Sequence, residues 1–336
     1  MCMKNPLVSK VVSKYHETSD VENLKEVVVG GDLMNEMVMF LKPEVFLNKS
    51  DDDVKKILDM VFDKLDKFEV VIDGASLISG NTLANHGIMD RHYGFINVMS
   101  RRASTEVDPE IRKDVLTKLK LDTETDYPIL GGHELLGMYN LAPSELDELW
   151  SSSPSTKVKS GFYVRPFEIE RKNYILVNGF HPQQLAHFTS SDRKMLVMLV
   201  KSNVDWAVLR NDMIGNTFPE QAILGSIRRT VYENAHDYGF DNVSISNNVV
   251  HLSAGPTEAL FEINNFFKPL IGLDIQINQP KLVNMLTNEG MPLSDVLEIL
   301  DNPYIELEDL QGDLHSLMEH RNLSEAVELW RKYKVR

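Results

Sequence analysis

The chain has 336 residues, 43% of them hydrophobic and 25% charged, enough apolar material for one large core or two modest ones. Its net charge of -15 excludes non-specific binding to nucleic acid or to an anionic membrane, while leaving room for a locally basic recess. The single cysteine, Cys2, excludes a disulfide framework and a cysteine-rich zinc site and suits a reducing compartment.

In chain order, the first twenty residues hold no apolar run of signal-peptide length, and nothing approaches the roughly 20 apolar residues of a membrane span. A cytoplasmic protein is therefore expected. Residues 20–28 suggest a helix, broken at Gly30-Gly31. Met37 to Leu41 reads as a buried strand, and Ser50 with Asp51 and Asp52 offers cap chemistry for a helix. In that helix Val54, Ile57, Leu58, Val61, Phe62 and Leu65 share one face. Phe68 to Ile72 reads as a second strand, and 81–99 as a weaker helix.

From about residue 100 the character changes. A polar helix (PEIRKDVLTKLKL), a turn at Gly131-Gly132, a helix start (APSELDELW) and a loop (SSSPSTKVKSG) follow. Strands are expected at 173–177, at Lys194 to Val200 and at Asn248 to Leu252. Short helices are expected near 182–188, 205–212 and 219–230, and a strongly apolar one from Pro256 to Phe267. The tail from 281 reads as helical throughout, with leucines three and four apart. No internal repeat is visible.

The chemistry-bearing segment is NNVVHLSAGPTEALFEI, in which His251 ends a short apolar strand and a helix bearing Glu262 follows. Strand ends present side chains to clefts from a rigid scaffold. Upstream lie Arg210, Thr217, Arg228 and Arg229, and Lys42 follows the first strand. Each alone has an ordinary reading as a structural histidine, a solvated lysine or a surface arginine. Composition and spacing lead only to an α/β protein that binds an anion.

Together these residues resemble the active-site segments of nucleoside diphosphate kinases. The run Asn-(apolar)2-His-x-Ser before a glutamate-bearing helix matches without a gap. MVMFLKPEVF resembles the family's opening strand, and GNTFPEQAILGSIR its Gly-x-Thr-x-Pro and Gly-Thr-Ile-Arg segment. His92-Tyr93 resembles a pair in the second helix, and Phe180, Pro182 and Leu185 resemble the base platform. The resemblance covers about 36–99 and 175–268. It implies a ferredoxin-like βαββαβ sandwich with a four-stranded antiparallel sheet and helices over one face. The expected domains are an N-terminal extension at 1–35, a kinase-like domain at 36–100 and 173–268, an insertion at 101–172 and a helical extension at 269–336.

The implied activity moves the terminal phosphate of a nucleoside triphosphate to a nucleoside diphosphate through a phosphohistidine on His251. Glu262 would orient the ring, and Tyr93 and Ser253 would lie near the transferred group. Lys42, Arg210, Thr217 and Arg228 would contact phosphates, with Mg2+ arriving through the nucleotide. Asn248 and Lys42 would bind the ribose, while Phe180 and Leu185 receive the base. A homo-oligomer is also implied. Leu252 stands at the family's glycine position and would be strained if that position needs φ > 0. Glu44, Ala254 and Gly255 are further departures. A specialised acceptor, nucleotide or protein, and a non-catalytic nucleotide-binding regulator are the alternatives. His133 with Glu134 is expected to be a polar cluster rather than a metal pair, and His315 and His320 are expected to be exposed.

Overall fold

The structure, a computed structural model, describes residues 5–122, 126–159 and 161–334, so Cys2 lies outside it. The chain forms two compact units, Met1–His86 with Ser191–Arg336, and Gly87–Ser190. No helix among the described residues is long and apolar enough to cross a membrane.

The first unit is built on a five-stranded sheet with neighbours in the order Val21–Lys25, Val71–Ser79, Lys194–Ser202, Asn35–Leu41 and Val250–Leu252. Every neighbouring pair is antiparallel. Asn35–Leu41 is buried at every position, so both of its faces are covered, which is why it reads as a continuous apolar run. Met37, Met39 and Leu41 share one cluster with Ile57, Leu58, Val61 and Phe62 of the helix Asp51–Lys67. Ser50 caps that helix by accepting from the Asp53 amide at 3.2 Å, and Asp51 to Asp53 sit at the positive end of its dipole. On the other face Phe40 meets Phe266 of the helix Pro256–Ile271, with ring centroids 5.7 Å apart. The expected one-sided, four-stranded layer is therefore corrected to a five-stranded sheet with helices on both faces.

Four local expectations also change. Residues 21–25 form an edge strand rather than a helix, because the unpaired edge of Val71–Ser79 offers ladder bonds that helical propensity cannot match. The strand expected at 68–72 begins only at Val71, since the helix ends at Phe68 and Glu69 turns with φ 53°. Its later half is rich in small residues. Gly74 packs so closely on Val27 that a Cβ there would sit 2.8 Å away. Within the loop expected at 151–161, Thr156–Lys159 is a strand, and in the tail Tyr304–Leu307 and Leu310–Asp313 form a hairpin between helices. A partner distant in sequence decides the first, and adjacent hairpin partners decide the last two.

The second unit carries a four-stranded sheet in the order Ile129–Gly131, Lys172–Val177, Phe162–Ile169 and Thr156–Lys159, with the first pair parallel. One apolar cluster joins Met99, Ala103, Val115 and Leu116 to Phe162, Val164 and Ile175. The other joins Leu135, Leu146 and Trp150 to Tyr174 and Leu176. Alternate residues of the strands point to opposite clusters, so this sheet too is covered twice. The segment 101–172 lies within this unit.

Candidate functional site

His251 is held by three independent elements of the first unit. Its strand pairs with Asn35–Leu41 so that His251 stands opposite Phe40, and the two rings stack with centroids 4.4 Å apart. The helix Pro256–Ile271 brings Glu262, fully buried, to 2.7 Å from the imidazole Nε2. The second oxygen of Glu262 accepts from the Ser253 hydroxyl at 2.5 Å. Ser253 is anchored in turn, its amide donating to the Val38 carbonyl at 3.0 Å and its hydroxyl oxygen accepting from the Val38 amide at 2.9 Å. With both carboxylate oxygens engaged, the ring has one orientation and Nδ1 is directed away from Glu262.

The turn before the histidine is strained. Val249 has φ 63°, and the Val250 amide donates back to the Asn248 carbonyl at 2.8 Å, closing a γ-turn. The Lys42-Pro43-Glu44 segment holds this turn in place. Glu44, buried, accepts from the Val249 amide at 2.9 Å, the Lys42 amide donates to the Val249 carbonyl at 2.9 Å, and Lys42 Nζ donates to Asn248 Oδ1 at 2.6 Å. Backbone in a disfavoured region persists where its surroundings over-determine it. The strain expected at Leu252 therefore falls elsewhere, since Leu252 is an ordinary buried strand residue outside the left-handed region.

Two arginines complete this wall. Arg210 lies on the π-helical turn Leu209–Ile214 and donates to the Leu252 carbonyl at 2.6 Å. Arg228, in the helix Ile227–Glu233, donates to the carbonyls of Gly215 at 3.0 Å and Val250 at 2.9 Å. Both guanidinium groups thus brace the His251 strand. The Nε atoms of Arg210 and Arg228 are buried and donate to no acceptor among the described residues. Buried donors of this kind are costly unless something meets them. Asn248 donates to the carbonyls of Thr217 at 3.3 Å and Ile245 at 2.9 Å.

The electrostatics follow from burial among like charges. Desolvation pushes the His251 pKa down to about 3, with Arg210, Arg228 and Lys42 acting in the same sense and Glu258 opposing them. The imidazole is neutral at pH 7. Burial likewise pushes Lys42 down to about 8 and Arg228 down to about 9, while raising Glu258 to about 7 with help from Glu262. Each shift has desolvation of the charged form as its largest cause.

The structure thus gathers His251, Glu262, Ser253, Lys42, Arg210, Arg228 and Asn248 into one bonded constellation, with Thr217 joined through its carbonyl. Tyr93, Phe180 and Leu185 belong to the second unit. There Tyr93 packs edge-on against His181 at 5.6 Å, Phe180 meets Trp150 at 6.0 Å and Tyr163 at 5.9 Å, and Leu185 is buried. Also in that unit, His133 bonds Ser100 at 2.9 Å, while Glu134 takes the Ser104 and Gly131 amides at 3.1 and 2.7 Å.

Sequence reasoning missed three participants. Glu258 lies one turn before Glu262 on the same helix and accepts from the Ala254 amide, and that i, i+4 spacing was its visible signal. Trp206 donates from its indole to the Ser253 carbonyl at 2.9 Å, and Phe40 stacks on the histidine. Neither aromatic had a local signal.

No protein-family model matches the chain, and no curated protein does. Among solved structures, a nucleoside diphosphate kinase from Encephalitozoon cuniculi aligns over 72% of this chain and 92% of its own, with 14% identity and a TM-score of 0.35. An NDP kinase from Pyrobaculum aerophilum aligns over 70% and 96%, with 19% identity and a TM-score of 0.34. A nucleoside-diphosphate kinase from Borrelia burgdorferi, in a transition-state mimic with vanadate and ADP, aligns over 70% and 88%, with 17% identity and a TM-score of 0.32.

Proposed function

We propose that the chain is a phosphotransferase that passes the terminal phosphate of a nucleoside triphosphate to a nucleoside diphosphate through His251. What carries the reading is a neutral, oriented imidazole set among the half-buried Lys42 and Arg210 and the buried Arg228, the two arginines having buried Nε donors that meet no acceptor among the described residues. The sheet order 71–79, 194–202, 35–41, 250–252 supports a ferredoxin-like βαββαβ core, extended by the strand Val21–Lys25.

In this reading Nδ1 attacks the terminal phosphorus. The new bond is N–P, and the bond from phosphorus to the bridging oxygen breaks, its electron pair leaving on the nucleoside diphosphate. Glu262 keeps the proton on Nε2, so the nucleophile stays the same nitrogen in each turnover. Lys42, Arg210 and Arg228 neutralise charge on the phosphate oxygens, and an acceptor diphosphate reverses the step. Mg2+ enters as part of the nucleotide substrate. The nearby carboxylates suit that role division, since Glu262, Glu258 and Glu44 are already engaged by His251 with Ser253, by Ala254 and by Val249. Tyr93, Phe180 and Leu185 keep the nucleotide roles that the resemblance gives them, which alanine substitutions read in KM.

Incubation with ATP labelled in its terminal phosphate tests the proposal. The wild type is expected to take up acid-labile label and return it to GDP, and His251→Ala to take up none. Uptake by His251→Ala equal to the wild type, or no uptake by either, overturns the assignment.

A further inference from the structure

The C-terminal extension is bonded to the same segments that hold His251. The His320 amide donates to the Ala254 carbonyl at 2.8 Å. His315 bonds Thr257 at 3.1 Å through Nδ1, so it is not the free surface residue its spacing suggested. A Cβ on Gly255 would run into the Met318 carbonyl, so the glycine is what lets this segment approach. One side chain of the extension joins two further elements. Asn322 accepts at Oδ1 from the Trp206 amide and from Asn35 Nδ2, at 2.9 Å each, and donates from Nδ2 to Asp205 at 2.9 Å. The next amide, that of Leu323, donates to Asn35 Oδ1 at 3.1 Å. Asn35, Trp206 and Ser253 are all buried.

We infer that Asn322 is a positioning residue for His251, supplied by the C-terminal extension and acting through Ser253. The inference rests on the phosphotransfer reading only for its effect on rate. Two routes lead from Asn322 to Ser253. The first runs through Trp206, whose amide is held by Asn322 and whose indole donates to the Ser253 carbonyl at 2.9 Å. The second runs along the strand from Asn35 to Val38, whose amide and carbonyl bond the Ser253 hydroxyl and amide. Ser253 in turn holds one oxygen of Glu262, and the other oxygen holds the imidazole at 2.7 Å. Buried polar groups are costly to leave unmet, so loss of one partner shifts its neighbours along the relay. Only an amide completes the junction. A carboxylate at 322 could not donate to Asp205, and an apolar side chain would remove the acceptor shared by the Trp206 amide and Asn35.

Proton NMR on the full chain tests this apart from activity. In the wild type the His251 Nε2 proton, held by a buried carboxylate, should give a slowly exchanging resonance downfield of the amides that His251→Ala lacks. Asn322→Ala removes the junction, and Asn322→Asp keeps its acceptor but loses the donor to Asp205. Both should shift or broaden the resonance and lower the single-turnover phosphorylation rate at saturating ATP by about tenfold, the scale of a misplaced reacting group. Combining Asn322→Asp with Asp205→Asn exchanges donor and acceptor, so resonance and rate should return together. A merely structural role would lower the thermal midpoint and leave the resonance of the folded protein in place. An unchanged resonance in Asn322→Ala overturns the inference, as does its absence from the wild type. Should Asn322→Ala fail to fold, Asn322→Asp is read the same way, and a double variant that regains the midpoint without the resonance also overturns it. Should the wild type show the resonance but take no phosphate from ATP, the phosphotransfer reading fails and the resonance still decides Asn322.

Discussion

His251, Lys42 and Glu258 belong to one cluster of charged groups, yet burial lowers the pKa of the first two and raises that of the third. The His251 pKa lies far below its ordinary 6.5, so the folded state resists protonating it. Its contribution to stability is complete above about pH 6.5 and is lost as the pH falls toward 3. The same shift means that protonation of His251 should place no acidic limb on the phosphorylation rate near pH 6.5. Lys42 behaves differently. Its cation persists below about pH 8, so KM for the nucleotide should rise as the pH passes upward through that value. Stability, by contrast, should gain between about pH 8 and 10.5, where the unfolded chain still holds the lysine proton. Glu258, pushed up to about 7, supplies the remaining ionisation near neutrality. A wild-type rate that changes through pH 7 should therefore flatten in Glu258→Gln. Single-turnover rates measured from pH 5 to 9 check all three. A persistent limb near 7 in Glu258→Gln would assign that ionisation to another group.

At the scale of elements, the site depends on how closely backbone passes backbone. The strand Val250–Leu252 is only three residues long and could not fix a histidine alone. Phe40 across the ladder, the Lys42–Glu44 turn behind it and the helix Pro256–Ile271 in front of it do so together. Gly255 joins these pieces to the tail. Its φ of -162° is ordinary extended backbone, so the requirement for glycine is purely steric. Gly255→Ala should destabilise the fold by about 2 kcal/mol or more, because its added methyl group meets a main-chain carbonyl that cannot turn aside. Urea denaturation measures the loss. An unchanged midpoint would mean that the segment at Met318 moves away without cost. Elements were legible in the sequence where one helix face did the packing, as in Asp51–Lys67, whose buried residues are the six that its periodicity picked out. They were not legible where a strand owed its existence to a distant partner, as in Val21–Lys25.

Over the whole molecule, a net charge of -15 contrasts with the local cations Lys42, Arg210 and Arg228 bonded around the His251 strand. The long-range field repels a nucleotide, and only contacts at close range attract it. Salt screens charges separated by more than about 8 Å at physiological ionic strength, and screens half-buried contacts much less. Raising ionic strength from about 10 mM to 150 mM should therefore leave the Mg-ADP association rate level or raise it. Stopped-flow binding reads this directly, and a steep fall would show that the local cations dominate even at a distance.

The sequence by itself determined which residues of the His251 segment can meet. His251, Ser253 and Glu262 lie within one strand-turn-helix, where local spacing brings them together. Lys42 and Arg228 could be nominated only by their resemblance to a pattern. Tertiary structure alone placed them together at the start of the same short strand, one bonded to Asn248 and the other to the Val250 carbonyl. The physical reason is that contacts across a sheet or between a tail and a turn join residues far apart in the chain. Their energies come from burial and backbone pairing, which leave no mark on local periodicity.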